Sequence, residues 1–90
     1  MSVKVLIVDD HEVVRCGLRT LLADSDIEVV AEAATAEAAI RYALENDPDV
    51  VLMDIRMPGG DGLTALGRIK LDKPEMPILM LSTFDNPTYI

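Results

Sequence analysis

The chain has 90 residues, a formal net charge of −8 and 50% hydrophobic residues, which leaves room for one domain and excludes a disordered acidic tail. Sixteen acidic against eight basic side chains exclude a nucleic-acid surface on this segment, because phosphates repel an acidic partner. Tyr42, Phe84 and Tyr89 are the only aromatic residues, too few to stack bases. No apolar run exceeds four residues, so neither a membrane span nor a signal-peptide core is expected. Cys16 stands alone and cannot form an internal disulfide. A cytoplasmic location is the expectation.

In chain order, Val5–Val8 is the first of three uninterrupted aliphatic runs. Val50–Met53 and Ile78–Leu81 are the others, and all three read as strands buried on both faces. They are followed by Asp9, Asp54 and Ser82, respectively. Between the first two runs, Val14, Leu18, Leu21 and Leu22 recur at helical spacing and predict a helix over 11–24 with one apolar stripe. Ile27–Ala33 predicts a strand, with Ile27, Val29, Ala31 and Ala33 alternating against Glu28 and Glu32. A second helix is predicted over 35–46, capped by Thr35, with Ala36, Ala39, Ile40, Ala43 and Leu44 on one side. Pro48 separates it from the next strand.

After Asp54, Met57-Pro58-Gly59-Gly60-Asp61-Gly62 reads as a loop. Leu63, Leu66 and Ile69 then mark a third helix, and Pro74 and Pro77 bracket the turn into the last strand. The order β-α-β-α-β-α-β predicts an α/β doubly wound parallel sheet with helices on both faces. No repeat, linker or low-complexity stretch interrupts it.

Ligands of such sheets bind beyond the carboxyl ends of the strands. Asp9, Asp10 and Asp54 belong to that edge and converge if the strands adopt the flavodoxin-like order 2-1-3-4. Carboxylates so close repel unless a cation joins them. Hard oxygen ligands suit Mg²⁺ or Mn²⁺ rather than zinc, and Mg²⁺ shares its remaining positions with phosphoryl oxygens. Asp54, before a glycine-rich turn with free N–H groups, is a candidate carboxylate nucleophile. Ser82 could offer its hydroxyl to a phosphoryl oxygen.

The segments Val5–Asp10, Leu52–Gly62 and Ile78–Ser82 resemble the receiver domain of two-component response regulators. Asp9 to Leu18 (Asp-Asp-His-Glu-Val-Val-Arg-Cys-Gly-Leu) is similar, more narrowly, to the NarL/FixJ subfamily. The resemblance covers the whole chain. It implies that Asp54 accepts a phosphoryl group from a sensor histidine kinase, and that Asp10, Asp54 and the Arg56 backbone carbonyl ligate Mg²⁺ with help from Asp9. Ser82 corresponds to the switch hydroxyl, and Thr83 occupies a position where the family more often has Ala or Gly, which would narrow access to Asp54. The resemblance further implies homodimerisation on activation and a helix-turn-helix DNA-binding output in a C-terminal domain outside this chain.

The family's fifth strand, with its terminal lysine, and fifth helix have no counterpart in the 90 residues, so 1–90 is expected to be a C-terminally incomplete receiver without a second domain. Residues 85–90 read as the first turn of a fourth helix. Lys70 and Lys73 are expected on the far side of the third helix, away from the acids.

Plainer readings stand beside these. Asp9 or Asp10 caps the first helix; Ser82 simply ends a strand; His11 is a solvated first-turn residue rather than a ligand; Cys16 packs on the first helix. Glu28, Glu32, Glu37, Glu45, Asp47 and Asp49 read as solvated surface, as does the Arg56 side chain. A signalling switch is favoured over an enzyme. Haloacid-dehalogenase-type hydrolases need Asp-x-Asp after the first strand, where this chain has adjacent Asp9-Asp10. A phosphorylation-independent pseudo-receiver would lack one of the acids, and none is lost.

Overall fold

Runs of branched aliphatic residues form extended chain, and alanine-rich amphipathic segments coil between them. The computed structural model describes residues 2–54 and 62–81. Its elements are β1 (Val3–Val8), α1 (Glu12–Leu22), β2 (Ile27–Ala33), α2 (Ala36–Asn46), β3 (Val50–Asp54), α3 (Gly62–Asp72) and β4 (Ile78–Leu81). The strands are parallel and lie in the order β2-β1-β3-β4, the expected flavodoxin-like sheet. The turn expected over 85–90 lies outside the described residues.

The main core cluster lies on one face of the sheet. Leu6, Val8, Val51 and Met53 meet Ala36, Ala39 and Ala43 of α2 and Ala65 and Ile69 of α3. Alanines let α2 approach the sheet closely, so the large side chains come mainly from the strands. Thr35 caps α2 as expected, its hydroxyl accepting the Ala38 N–H at 3.1 Å. The helix ends at Asp47, in the left-handed region with φ 46°. There Lys73 Nζ lies 2.5 Å from Asp47 Oδ1 and donates to the Ala43 carbonyl at 3.3 Å, a cation answering the helix's free carbonyls. The Lys73 hydrogen bond and charge hold the Asp47 carboxyl below its ordinary value. Asp49 is also engaged, accepting the Lys4 N–H at 2.8 Å. Both carboxylates stay exposed, as expected, while making these ties.

Four expectations need correction. First, α1 runs over 12–22 rather than 11–24, and its inward line is Arg15, Leu18 and Leu22. Leu21 is 78% exposed and Val14 also faces outward, because Arg15 is drawn onto β2 and turns the predicted stripe partly away. Cys16 is exposed, not packed. Second, β2 does not alternate evenly. Val5 pairs with Val29 but Leu6 pairs with Ala31, so Val30 is an extra residue. Past this bulge Glu32 pairs with Ile7, on the face opposite the core, and meets α1. Third, Leu44 of α2 is exposed rather than on the helix's inner side. It follows Ala43 at the margin of a narrow buried stripe.

Fourth, burial on both faces holds for Val5–Val8 but not for the last run: Leu79 is 57% exposed. Among the described residues β4 is an edge strand, and no described helix covers Leu79. An apolar edge of this kind templates pairing with another chain. Leu79→Lys is therefore expected to reduce self-association of the 90-residue chain in sedimentation velocity. It should change folding stability by less than about 0.5 kcal/mol, as exposed sites usually do.

Candidate metal centre

Parallel pairing sets the site. Val8 of β1 is level with Met53 of β3, so Asp9, the next residue, arrives beside Asp54. Asp54 belongs to β3 itself, in register with Leu81, one residue beyond the predicted end of that strand. It is 2% exposed and Asp9 5%, whereas Asp10 is more open. One ligand atom from each of Asp9, Asp10, His11 and Asp54 fits within a group whose members all lie within 4.8 Å of one another. The three acids expected at the strand ends are brought together. Arg56, Ser82 and Thr83 lie outside the described residues.

Asp9 is held from three sides. Its N–H donates to the Ala33 carbonyl at 3.0 Å, continuing the β1–β2 ladder. Arg15 Nη1 donates to its carbonyl at 2.6 Å, and its Oδ1 accepts the His11 N–H at 2.8 Å. Arg15 is in turn fixed by Glu32, Nε to Oε1 at 3.2 Å, and Arg19 reaches the other Glu32 oxygen at 2.7 Å. Glu32 is thus the anchor of a bracket, not solvated surface. The sequence signal for this bracket was hidden, because only the Val30 bulge turns Glu32 toward α1. The capping expectation also changes. His11 is the N-cap of α1, without a side-chain cap bond, and Asp9 binds the His11 N–H outside the helix.

His11 is not merely solvated. Its side chain is 60% exposed, yet Nδ1 lies 3.0 Å from Asp9 Oδ1 and 2.9 Å from Asp10 Oδ1. The hydrogen bond to Asp9 and the charge of Asp10 raise its pKa above the ordinary 6.5. Because the folded value is raised, the stability gained from protonation is fully present below pH 6.5 and is lost as pH rises through the folded value. An NMR titration of the ring protons should place the cation-free midpoint above 6.5, and Asp9→Asn or Asp10→Asn should bring it down toward 6.5.

Three carboxylates and one imidazole, with no thiolate, suit a hard or borderline divalent cation. Lys70 and Lys73 lie far from them, as expected. Lys70 donates to the Met76 carbonyl and, at 3.3 Å, to that of Pro74. Lys73 lines a groove of about 650 Å³ with Asp47, Pro48 and Pro77, at the opposite, amino edge of β3 and β4. The chemistry-bearing side chains are at the carboxyl edge instead.

The model of the response regulator receiver domain family matches residues 5–90. The chain belongs to that family. It is 49% identical over 85 residues to the response regulator VraR of Staphylococcus aureus, covering 93% of this chain and 41% of VraR. It therefore spans about two fifths of the length of that relative. A two-component response regulator of the LuxR family from Aurantimonas sp. superposes with TM-score 0.88 at 34% identity, over 99% of this chain and 64% of that one. The isolated receiver domain of RcsB from Salmonella enterica serovar Typhimurium, solved with the phosphomimetic BeF₃⁻, gives 0.84 at 34% identity. That match covers 98% of this chain and 67% of the RcsB domain. RcsB has also been solved as a complex with DNA. The family places the chain in two-component signalling, and its relatives include regulators of the LuxR/NarL type. Among the described residues no helix is long and apolar enough to cross a membrane.

Proposed function

We propose that this receiver domain takes a phosphoryl group on Asp54 from a sensor histidine kinase and acts as a signalling switch, not an enzyme. The observation that carries the reading is the grouping of buried Asp54 with Asp9 and Asp10 at the carboxyl edge of β1 and β3. An Asp54 carboxylate oxygen attacks phosphorus, the bond to the donor breaks, and the donor leaves with its electron pair. The product is an acyl phosphate, which water attacks at phosphorus to release inorganic phosphate and restore the carboxylate.

Asp9, Asp10 and Asp54 would hold Mg²⁺ or Mn²⁺, with the Arg56 carbonyl as a further ligand. The ion supplies charge neutralisation for the incoming phosphoryl oxygens. Arg15 and Glu32 keep the Asp9 main chain in place while this charge changes. Ser82 is the hydroxyl that turns toward the phosphoryl group, and Thr83 limits access of water to it. Phosphorylation then biases the domain between two packings.

The chain is proposed to be the receiver part of a longer cytoplasmic regulator that dimerises when phosphorylated. Its DNA contact would come through a separate output domain, since the −8 charge of this segment disfavours nucleic acid. Acetyl phosphate with Mg²⁺ should add one phosphoryl group per chain, read by intact mass. A protein that binds Mg²⁺ but never gains that mass would count against the reading.

A further inference from the structure

The chain contains a single histidine, and its exposed ring lies against the acidic cluster. Its extended N-cap backbone (φ −99°, ψ 116°) and its N–H bond to Asp9 fold the ring back over both leading carboxylates. Nδ1 is 3.0 Å from Asp9 Oδ1 and 2.9 Å from Asp10 Oδ1. Adjacent ligands of an octahedral ion with bonds of about 2.1 Å are about 3.0 Å apart. The nitrogen therefore stands at ligand spacing from two oxygens. Imidazole suits zinc, copper, iron and nickel ions, whereas carboxylate and carbonyl oxygens suit magnesium and manganese.

We propose that His11 is a nitrogen ligand of this centre and tilts its cation preference from Mg²⁺ toward borderline divalent ions. The inference rests on the reading of the acidic cluster as a cation site. Ions that accept imidazole should recruit Nδ1, while Mg²⁺ should leave it on the carboxylates. The same site would then hold different cations with different ligand sets. The histidine would not contribute to Mg²⁺ affinity, and its loss would be felt only with the borderline ions.

The test uses the full chain without a polyhistidine tag, so that His11 is the only imidazole present. Calorimetric titrations with Mg²⁺ and Ni²⁺ are compared for the parent chain, His11→Ala and His11→Asn. Pulsed EPR of the Cu²⁺ complexes reads any directly bound nitrogen. The expected result is a ¹⁴N coupling in the parent that disappears in His11→Ala. Ni²⁺ affinity should fall by about tenfold in both variants, with Mg²⁺ affinity changing by less than about threefold. Loss of both affinities in equal proportion, or an unchanged preference without a ¹⁴N coupling in the parent, overturns the proposal while leaving the cation site intact. Failure of the parent to bind either ion overturns the proposal and the underlying site together. Circular dichroism of both variants identifies any loss due to unfolding. His11→Asn, which keeps a polar group near the Nδ1 position, supplies the answer if His11→Ala does not fold.

Discussion

Asp54→Asn is expected to abolish labelling by acetyl phosphate, from one phosphoryl group per chain to none. The amide matches the carboxylate in size, so the buried site keeps its packing. What it loses is the charged oxygen that attacks phosphorus, and an amide nitrogen is no substitute nucleophile. Asp10→Asn provides the contrast. Asp10 is more exposed and precedes α1, so its loss weakens cation holding but leaves Asp54 as an acceptor. Labelling of Asp10→Asn should be slowed and should recover partly at high Mg²⁺, whereas Asp54→Asn stays blank at any concentration. Intact-mass spectrometry over time separates the two. If Asp54→Asn were labelled as fully as the parent, another residue would be the acceptor.

The second large effect is on stability. Leu6→Ala is expected to cost roughly 2–5 kcal/mol, because Leu6 is fully buried in the core and its removal leaves a cavity. Small domains are stable by only about 5–15 kcal/mol, so this single change removes a large share. Neighbouring alanines on α2 cannot reach across to fill the space, which favours the upper part of that range. Urea unfolding followed by circular dichroism should show the midpoint falling with little change in slope. A midpoint unchanged within error would mean that α2 and the sheet do not form the tight contact described.

Much of this was legible in the sequence because burial leaves a simple record there. Val5–Val8 and Val50–Met53 are aliphatic without a break, and a sheet covered by helices demands that. The acids after them could be placed together once the strand order was supposed, since parallel neighbours bring their carboxyl ends to one edge. Thr35 was readable as a cap from its position alone. What escaped depends on neighbours distant in the chain. The exposure of Leu79 follows from its strand lying at the edge, which no local pattern encodes. The bulge at Val30 is invisible among Val29, Val30 and Ala31, all acceptable strand residues. That bulge decides which face Glu32 occupies, hence where Arg15 goes, hence how α1 is rotated. His11 escaped for a similar reason: its neighbours in sequence are acids, and only the turn of the backbone aims its ring at them.

The uneven core has a consequence for motion. The main buried cluster holds α2 and α3 to the sheet, while α1 has no buried residue. Local opening free energies follow such contacts, so amide protons of α1 should exchange with solvent before those of α2. Yet α1 begins immediately after Asp9, Asp10 and His11, and it carries the Arg15 bracket. A cation held there, as proposed, would favour the closed form and raise the free energy of opening with the logarithm of its concentration. The loosest of the described helices would thus be the one whose order reports the state of the site.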